Sequence, residues 1–361
     1  MLESAIPEHY RKERTCPVST PPNYEPPFPS YCARFPAKME SLVLAIIGAQ
    51  YASSSSNDGA GISTIKKFMT GAPDAVRPSF WEVAAVTDKK GAYNIAVLAY
   101  WPGADIQKKW AEGSGFQTWW DALDAEQEKH GWFVEVLSPS LERFETVFSN
   151  HSAPEGAANM QESISGEMEE HGYWGSMRDR LAAAQADKLV GGKRDIVDGE
   201  QKAEVGKTTA KRVRVSGKGN LCVIRSGQDW ASTLPDERKL YLETMHPVLI
   251  QGMNFLRDNG REIGCYSMNL WDVVDTDTSK ADKEKTFGLG FFDDIASLEF
   301  WSKSHQTHIN IFGGFLMYAK KLDFQLSLKL FHEVFVLQPD QQFFEYVNCH
   351  EGTSMLNSLG F

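Results

Sequence analysis

The chain reads as an α+β protein in which one folding unit is used twice, and three observations predict this. The succession strand, helix, strand, strand, helix, strand runs through residues 38–149 and again through 220–361, the order of a ferredoxin-like unit. The two passes also agree by letter. AYWPGADIQKKW, ending at Trp110, parallels GFFDDIASLEFW, ending at Trp301; FVEV at Phe133 parallels FHEV at Phe331, and FETV at Phe144 parallels FEYV at Phe344. Self-similarity at that period marks a duplicated unit. Third, a chain of 361 residues that is 42% hydrophobic and 12% aromatic can bury the inner rows of two antiparallel sheets. Those sheets would pack face to face, or close into a barrel with helices outside.

In chain order, residues 1–37 are rich in proline (PPNYEPPFPSYCARFP). That favours an extended arm, either poorly ordered or laid over a partner subunit. Apolar runs predict strands over 41–51, 80–87, 93–101 and 131–138. A helix is expected over 61–69, and another over 104–123 that Gly113 and Gly115 interrupt. In the second pass, strands fall over 220–227, 262–271, 286–293 and 328–336, with one helix over 236–257 and two more between 295 and 321. Residues 150–219 connect the halves. Their portion 185–218 is polar and glycine-containing, which reads as a surface loop, as does the charged stretch 272–285.

A net charge of −11 argues against a nucleic-acid or anionic-membrane partner. The five cysteines (Cys16, Cys32, Cys222, Cys265, Cys349) show neither zinc spacing nor the CxxCH of covalent haem attachment, so free thiols in a reducing compartment are expected. The charged opening MLESAIPEHYRKERT lacks a secretory apolar core, and no apolar run reaches the ~20 residues of a spanning helix. A cytoplasmic protein is the expectation.

Two histidines stand where such a unit normally carries apolar residues. His308 opens a helical stripe with Phe312, Phe315 and Ala319, beside Gly313 and Gly314, whose bare backbone lets a flat, bulky group approach. His332 alternates with Leu328, Leu330, Val334 and Val336, while Lys329, Phe331, Glu333 and Phe335 take the other face. A lone histidine on an apolar face is more often a satisfied core residue than a ligand. Two of them on consecutive elements favour a site, and the other repeat adds weight. His332 falls at Val134 and His308 near Gln117, so the fold needs histidine at neither place.

Ahead of the connecting loop, SGEMEEHGYWGSMRDRL (165–181) is denser in aromatic and ionisable residues than a connector requires. Arg178 lies there among Trp174, Gly175, Met177 and Leu181. Either its helix is solvated and it pairs with Glu169 or Asp179, or it is a planar donor set in a pocket. His171, His305 and His350 read as surface or hydrogen-bonding residues.

HGYWGSMRDR (171–180), IRSGQDW (224–230), NFLRDNG (254–260), SHQTHINIF (304–312) and LFHEVFV (330–336) together resemble the aldoxime dehydratases, over a span from about Tyr24 to Leu356. The resemblance implies a lyase with ferrous haem b that turns aldoximes, R–CH=N–OH, into nitriles and water. It also implies a duplicated ferredoxin-like core of the dimeric α+β barrel type, and a homodimer. It places the proximal haem ligand at His308 rather than His305, and the distal histidine at His332. The active-site arginine falls on Arg178, the serine on Ser226 and a glutamate on Glu145. In that scheme His332, protonated, is the general acid at the oxime hydroxyl and then takes the carbon-bound proton, with Ser226 holding the oxygen. The alternative on the same barrel is a haem peroxidase-like or chlorite-decomposing oxidoreductase, which would turn over peroxide instead.

Overall fold

Runs of Val, Ile, Ala and aromatic residues form strands, and the apolar stripes between them form helices packed on one side. The computed structural model describes residues 2–152, 154–192 and 208–360. In order its elements are β1 (Ala33–Arg34), β2 (Val43–Tyr51), α1 (Ala60–Gly71), β3 (Phe80–Thr87), β4 (Tyr93–Trp101), α2 (Ala104–Gly113), α3 (Phe116–Asp121), β5 (Gly131–Leu137), β6 (Phe144–Phe148), β7 (Ser163–Ile164) and α4 (Ser176–Arg180). There follow β8 (Arg212–Val215), β9 (Leu221–Asp229), α5 (Pro235–Leu240), α6 (His246–Asn259), β10 (Cys265–Val274), β11 (Lys285–Phe292), α7 (Ile295–Ser304), α8 (Gln306–Lys321), β12 (Lys329–Leu337) and β13 (Gln342–Val347).

Eleven strands make one antiparallel sheet in the order β6-β12-β9-β11-β10-β3-β4-β2-β5-β13-β8, while β1 and β7 pair separately. Read outward from the β10–β3 junction, both halves run in the same order: second, third, first and fourth strand of the unit. The sheets are therefore not two layers packed face to face. They are one sheet, curled so that Leu44, Ile46, Leu98 and Phe133 of the first half share a core with Val223, Phe287, Phe331 and Phe335 of the second. Phe133 and Phe331 lie over glycines on the neighbouring strands. A Cβ on Gly48 or on Gly227 would sit 2.2 Å or 1.8 Å from the ring.

The strand that follows each unit crosses to the other half. β6 pairs with β12, and β13 pairs with β5, so FETV and FEYV are exchanged between repeats rather than kept with their own. Another difference concerns the helix expected over 236–257. It is divided into α5, a π-helical turn at Tyr241–Met245, and α6. Pro247 has no N–H to give and crowds the carbonyl of Glu243, and the widened turn absorbs the mismatch.

The proline-rich arm lies on its own chain. Asp179 accepts bonds from the Ser19 and Thr20 backbone N–H groups and from the Thr20 hydroxyl, and Tyr31 pairs with Phe148. The connector is also more structured at its ends than its polarity suggests. Gln185 is buried, donating to the Tyr10 and Ala182 carbonyls, β8 adds an edge to the sheet, and Lys218 is buried against Asp293. Residues 193–207 of the expected surface loop lie outside the described residues. Among the described residues no helix is long and apolar enough to cross a membrane.

Candidate active site

The pleat of β12 decides what His332 faces. Val334 and Val336 pack with Leu249 and Met253 of α6 and with Ile295, Leu298 and Trp301 of α7, whereas Phe331 and Phe335 face the inner core. His332 shares the helix-side face with the two valines. Across β9 its partner is Ser226, and across β6 it is Val147. Its ring keeps some accessible surface although protein surrounds it, as a side chain lining an internal cleft does. Burial, then the nearby charges of Arg180 and His308, lower its pKa to about 4.

His308 comes from the first turn of α8. His305 caps that helix, accepting from the Thr307 N–H at 3.3 Å, and stacks on Phe255 at 3.8 Å. It is therefore occupied structurally. Thr307 accepts from the Trp301 indole N–H at 3.0 Å, and the Trp301 ring meets the His308 ring edge-on at 4.7 Å. His308 Nδ1 is buried without a hydrogen-bond partner. Burial lowers the pKa of His308 to about 4, and the Ser302 carbonyl only partly opposes this. Both histidines are thus neutral at pH 7, the form in which imidazole binds a metal.

α8 packs chiefly on α6, α7 and the π-helical turn, and its Phe315 and Tyr318 join Leu328 and Leu330, at the start of β12, in one apolar cluster. Along α8, Gly313 is exposed and a Cβ on it would meet nothing within 4 Å, and Phe312, one turn beyond His308, is 37% exposed.

Glu145, on β6, is opposite Val334 and so shares the face of His332. It is buried and bound through both oxygens by one guanidinium, at 2.8 Å each, but that group belongs to Arg180. Arg180 also donates to the Glu170 carbonyl at 2.9 Å. Arg178, expected at the site, points elsewhere. It holds Glu299 of α7 at 2.8 and 2.7 Å and the Lys188 carbonyl at 2.6 Å. Two residues along a helix are about 200° apart, so Arg178 and Arg180 leave α4 on opposite sides. Of the residues expected at the site, the structure brings together His332, Ser226, Glu145 and, across the cleft, His308; Arg180 takes the place expected for Arg178.

One residue was missed. His171, expected to be a surface or hydrogen-bonding residue, is 3% exposed, with neither ring nitrogen hydrogen-bonded. It packs against Phe28 at 5.3 Å, and Phe28 in turn meets Phe315, on the His308 stripe, at 5.5 Å. Burial, then Arg180, lower its pKa to about 4. His171 sits on an irregular segment with no periodicity, so no pattern pointed inward.

A buried neutral imidazole at His308, and a second at His332 beside Ser226, Glu145 and Arg180, form a donor set suited to holding a cofactor. The family described as haem-containing dehydratase matches residues 45–355, and the chain belongs to it. The chain is 35% identical to an aliphatic aldoxime dehydratase of Rhodococcus erythropolis and 36% identical to one of Pseudomonas chlororaphis, each match covering 98% of both chains. It is 32% identical to a phenylacetaldoxime dehydratase of Bacillus sp. (strain OxB-1), over 93% of both chains. A crystal structure of an aldoxime dehydratase in complex with butyraldoxime matches with a TM-score of 0.89, over 98% of this chain and 96% of that one. Membership brings a haem cofactor. The buried His308 ring nitrogen without a hydrogen-bond partner suits such a group.

Proposed function

We propose that this chain is an aldoxime dehydratase, converting R–CH=N–OH to R–C≡N and water, with haem b held by His308. The observation that carries the reading is the juxtaposition of His308, across the cleft, with a His332–Ser226 pair backed by Glu145 and Arg180. When bound, ferrous haem would supply an iron that takes a nitrogen donor and electron density that weakens an N–O bond.

The side chains do the rest. The Ser302 carbonyl acts on the His308 ring, favouring its protonated form, and would help orient it. Ser226, directly across from His332, holds the oxime oxygen toward the imidazole. His332 gives a proton to that oxygen as the N–O bond breaks, and the neutral ring then takes the proton from carbon. The histidine ends as it began, and no electrons are consumed. A conjugate acid with a pKa of about 4 delivers its proton readily but is scarce at pH 7, so turnover is expected to rise on mild acidification. Burial sets most of this balance, Arg180 adds to it by opposing a charge on His332, and Glu145 fixes Arg180 in place. A homodimer and a cytoplasmic setting complete the reading; light scattering of the purified protein tests the first.

The direct test is the dithionite-reduced holoprotein with butyraldoxime or phenylacetaldoxime, followed by chromatography for the nitrile. Nitrile accumulation is expected with at least one of them. Turnover of peroxide, with neither oxime consumed, would replace this reading by the oxidoreductase one.

A further inference from the structure

Behind the His332–Ser226 pair, on the inner face of the same two strands, stands a second cross-strand pair. Arg225 is opposite Glu333, one residue before Ser226 and one after His332, so the pleat sends the two pairs to opposite sides of the sheet. Both inner side chains are 0% exposed. The Arg225 guanidinium lies between the Phe287 and Phe331 rings, 4.6 and 4.8 Å from their centroids, with Glu333 Oε2 3.6 Å from Nη1.

The partners reach across the core into the other repeat. Arg225 donates to Glu82 on β3, and the Tyr100 hydroxyl on β4 donates to Glu333 at 2.6 Å. The Ala157 N–H donates to the other Glu333 oxygen at 2.7 Å, and Lys285 joins Glu82 to Glu155 at 3.1 and 2.5 Å. Together these contacts tie β9 and β12 to β3 and β4.

The first repeat serves as an internal control. Position by position, Ser226 and His332 correspond to Ile47 and Val134, and Arg225 and Glu333 to Ile46 and Glu135. There the glutamate is met by the Tyr346 hydroxyl from the adjacent strand at 2.5 Å, and the place of the arginine is apolar. The same four strands thus form without the buried cation. Burying an ion pair is in general no more stabilising than an apolar pair of similar volume. Arg225 itself belongs to the repeat that carries the histidine and serine, while Glu82 and Tyr100 come from the other.

We propose that Arg225 and Glu333 are positioning residues: by tying β9 and β12 to β3 and β4 across the core, they fix where Ser226 and His332 stand. This rests on the role of His332 proposed above. The test uses holoenzyme variants with haem content measured from the Soret band. Arg225→Ile, the residue of the first repeat, should keep full haem and KM within about twofold while kcat falls roughly 10- to 100-fold, the usual span for support of an active group. Arg225→Lys should recover part of that loss. Tyr100→Phe, which removes one bond to Glu333, should lower kcat by a smaller factor. The mirror variant Tyr346→Phe should leave kcat at the wild-type value.

Wild-type kcat in Arg225→Ile, with only a lowered melting temperature, would overturn the proposal. If Arg225→Ile does not fold, Tyr100→Phe and Glu333→Gln decide, and unchanged kcat in both overturns it. His332→Val, assayed alongside, separates the two claims, since full turnover there would fail the underlying reading whatever Arg225 does.

Discussion

The two repeats share a strand frame and differ in what covers it. In the first, Trp110, Phe116 and Trp120 of α2 and α3 pack in series, with ring centroids 5.1 and 6.1 Å apart, and bury the helix-side row that contains Ile47 and Val134. In the second, α7 supplies Trp301 at the place of Trp110, but α8 brings His308 at the place of Gln117 and turns Phe315 and Tyr318 to a separate cluster with Trp230 and Tyr241. The helix-side row is apolar throughout in one repeat and carries His332 and Ser226 in the other. Duplication thus gave a stable half that needs no chemistry and a second half free to hold a cofactor. The site is a departure from the packed version, made by a few residues on a conserved backbone path.

If that comparison holds, converting second-repeat residues to their first-repeat counterparts should erase function in steps. The largest effect is expected from His332→Val, which installs the residue of the first repeat. Haem binding should persist, and nitrile formation should fall by about 10²–10⁴, the range for losing a positioned acid–base group. Retained turnover would show that the ring merely fills space. His308→Gln, after Gln117, should abolish stoichiometric haem uptake, read by Soret titration of the reconstituted protein. Uptake with wild-type affinity would move the axial ligand elsewhere.

A smaller but sharper contrast lies on α4. Arg180→Lys loses the two-point hold on Glu145 and should cut kcat about tenfold or more, whereas Arg178→Lys disturbs a contact with Glu299 and should stay within about twofold. Equal losses would mean that α4 matters as a unit. The smallest effect concerns acid stability without haem. His171, His308 and His332 each have a pKa lowered from 6.5 to about 4, so between these values the unfolded chain binds more protons than the folded one. Stability should therefore fall as pH drops from about 6.5 toward 4, by at most ~1.4 kcal/mol per pH unit for each histidine. Urea melts of the haem-free protein across that range check it, and a flat profile would mean that these rings are hydrated.

How much of this was legible in the chain depended on periodicity. Strands β2, β4, β5, β9 and β11 announce themselves as apolar runs because both of their faces are buried, and His332 is conspicuous because it interrupts such a run in β12. Arg178 and Arg180 could not be told apart in the same way. α4 is five residues long, and which side turns inward depends on Asp179 fastening it to the arm. His171 lies in a segment without a repeat, and its burial comes from Phe28, far away in sequence.

The sequence by itself determined the α+β unit, its duplication, the two histidines that the duplication does not need, and the family resemblance. All of these rest on local patterns or on matching letters. Only the tertiary structure decided that the halves join into one curled sheet with exchanged outer strands, that Arg180 rather than Arg178 holds Glu145, and that a buried ion network stands behind the His332–Ser226 pair. Those are matters of which distant surfaces meet, set by docking and strand pairing across more than a hundred residues, and no local repeat encodes them.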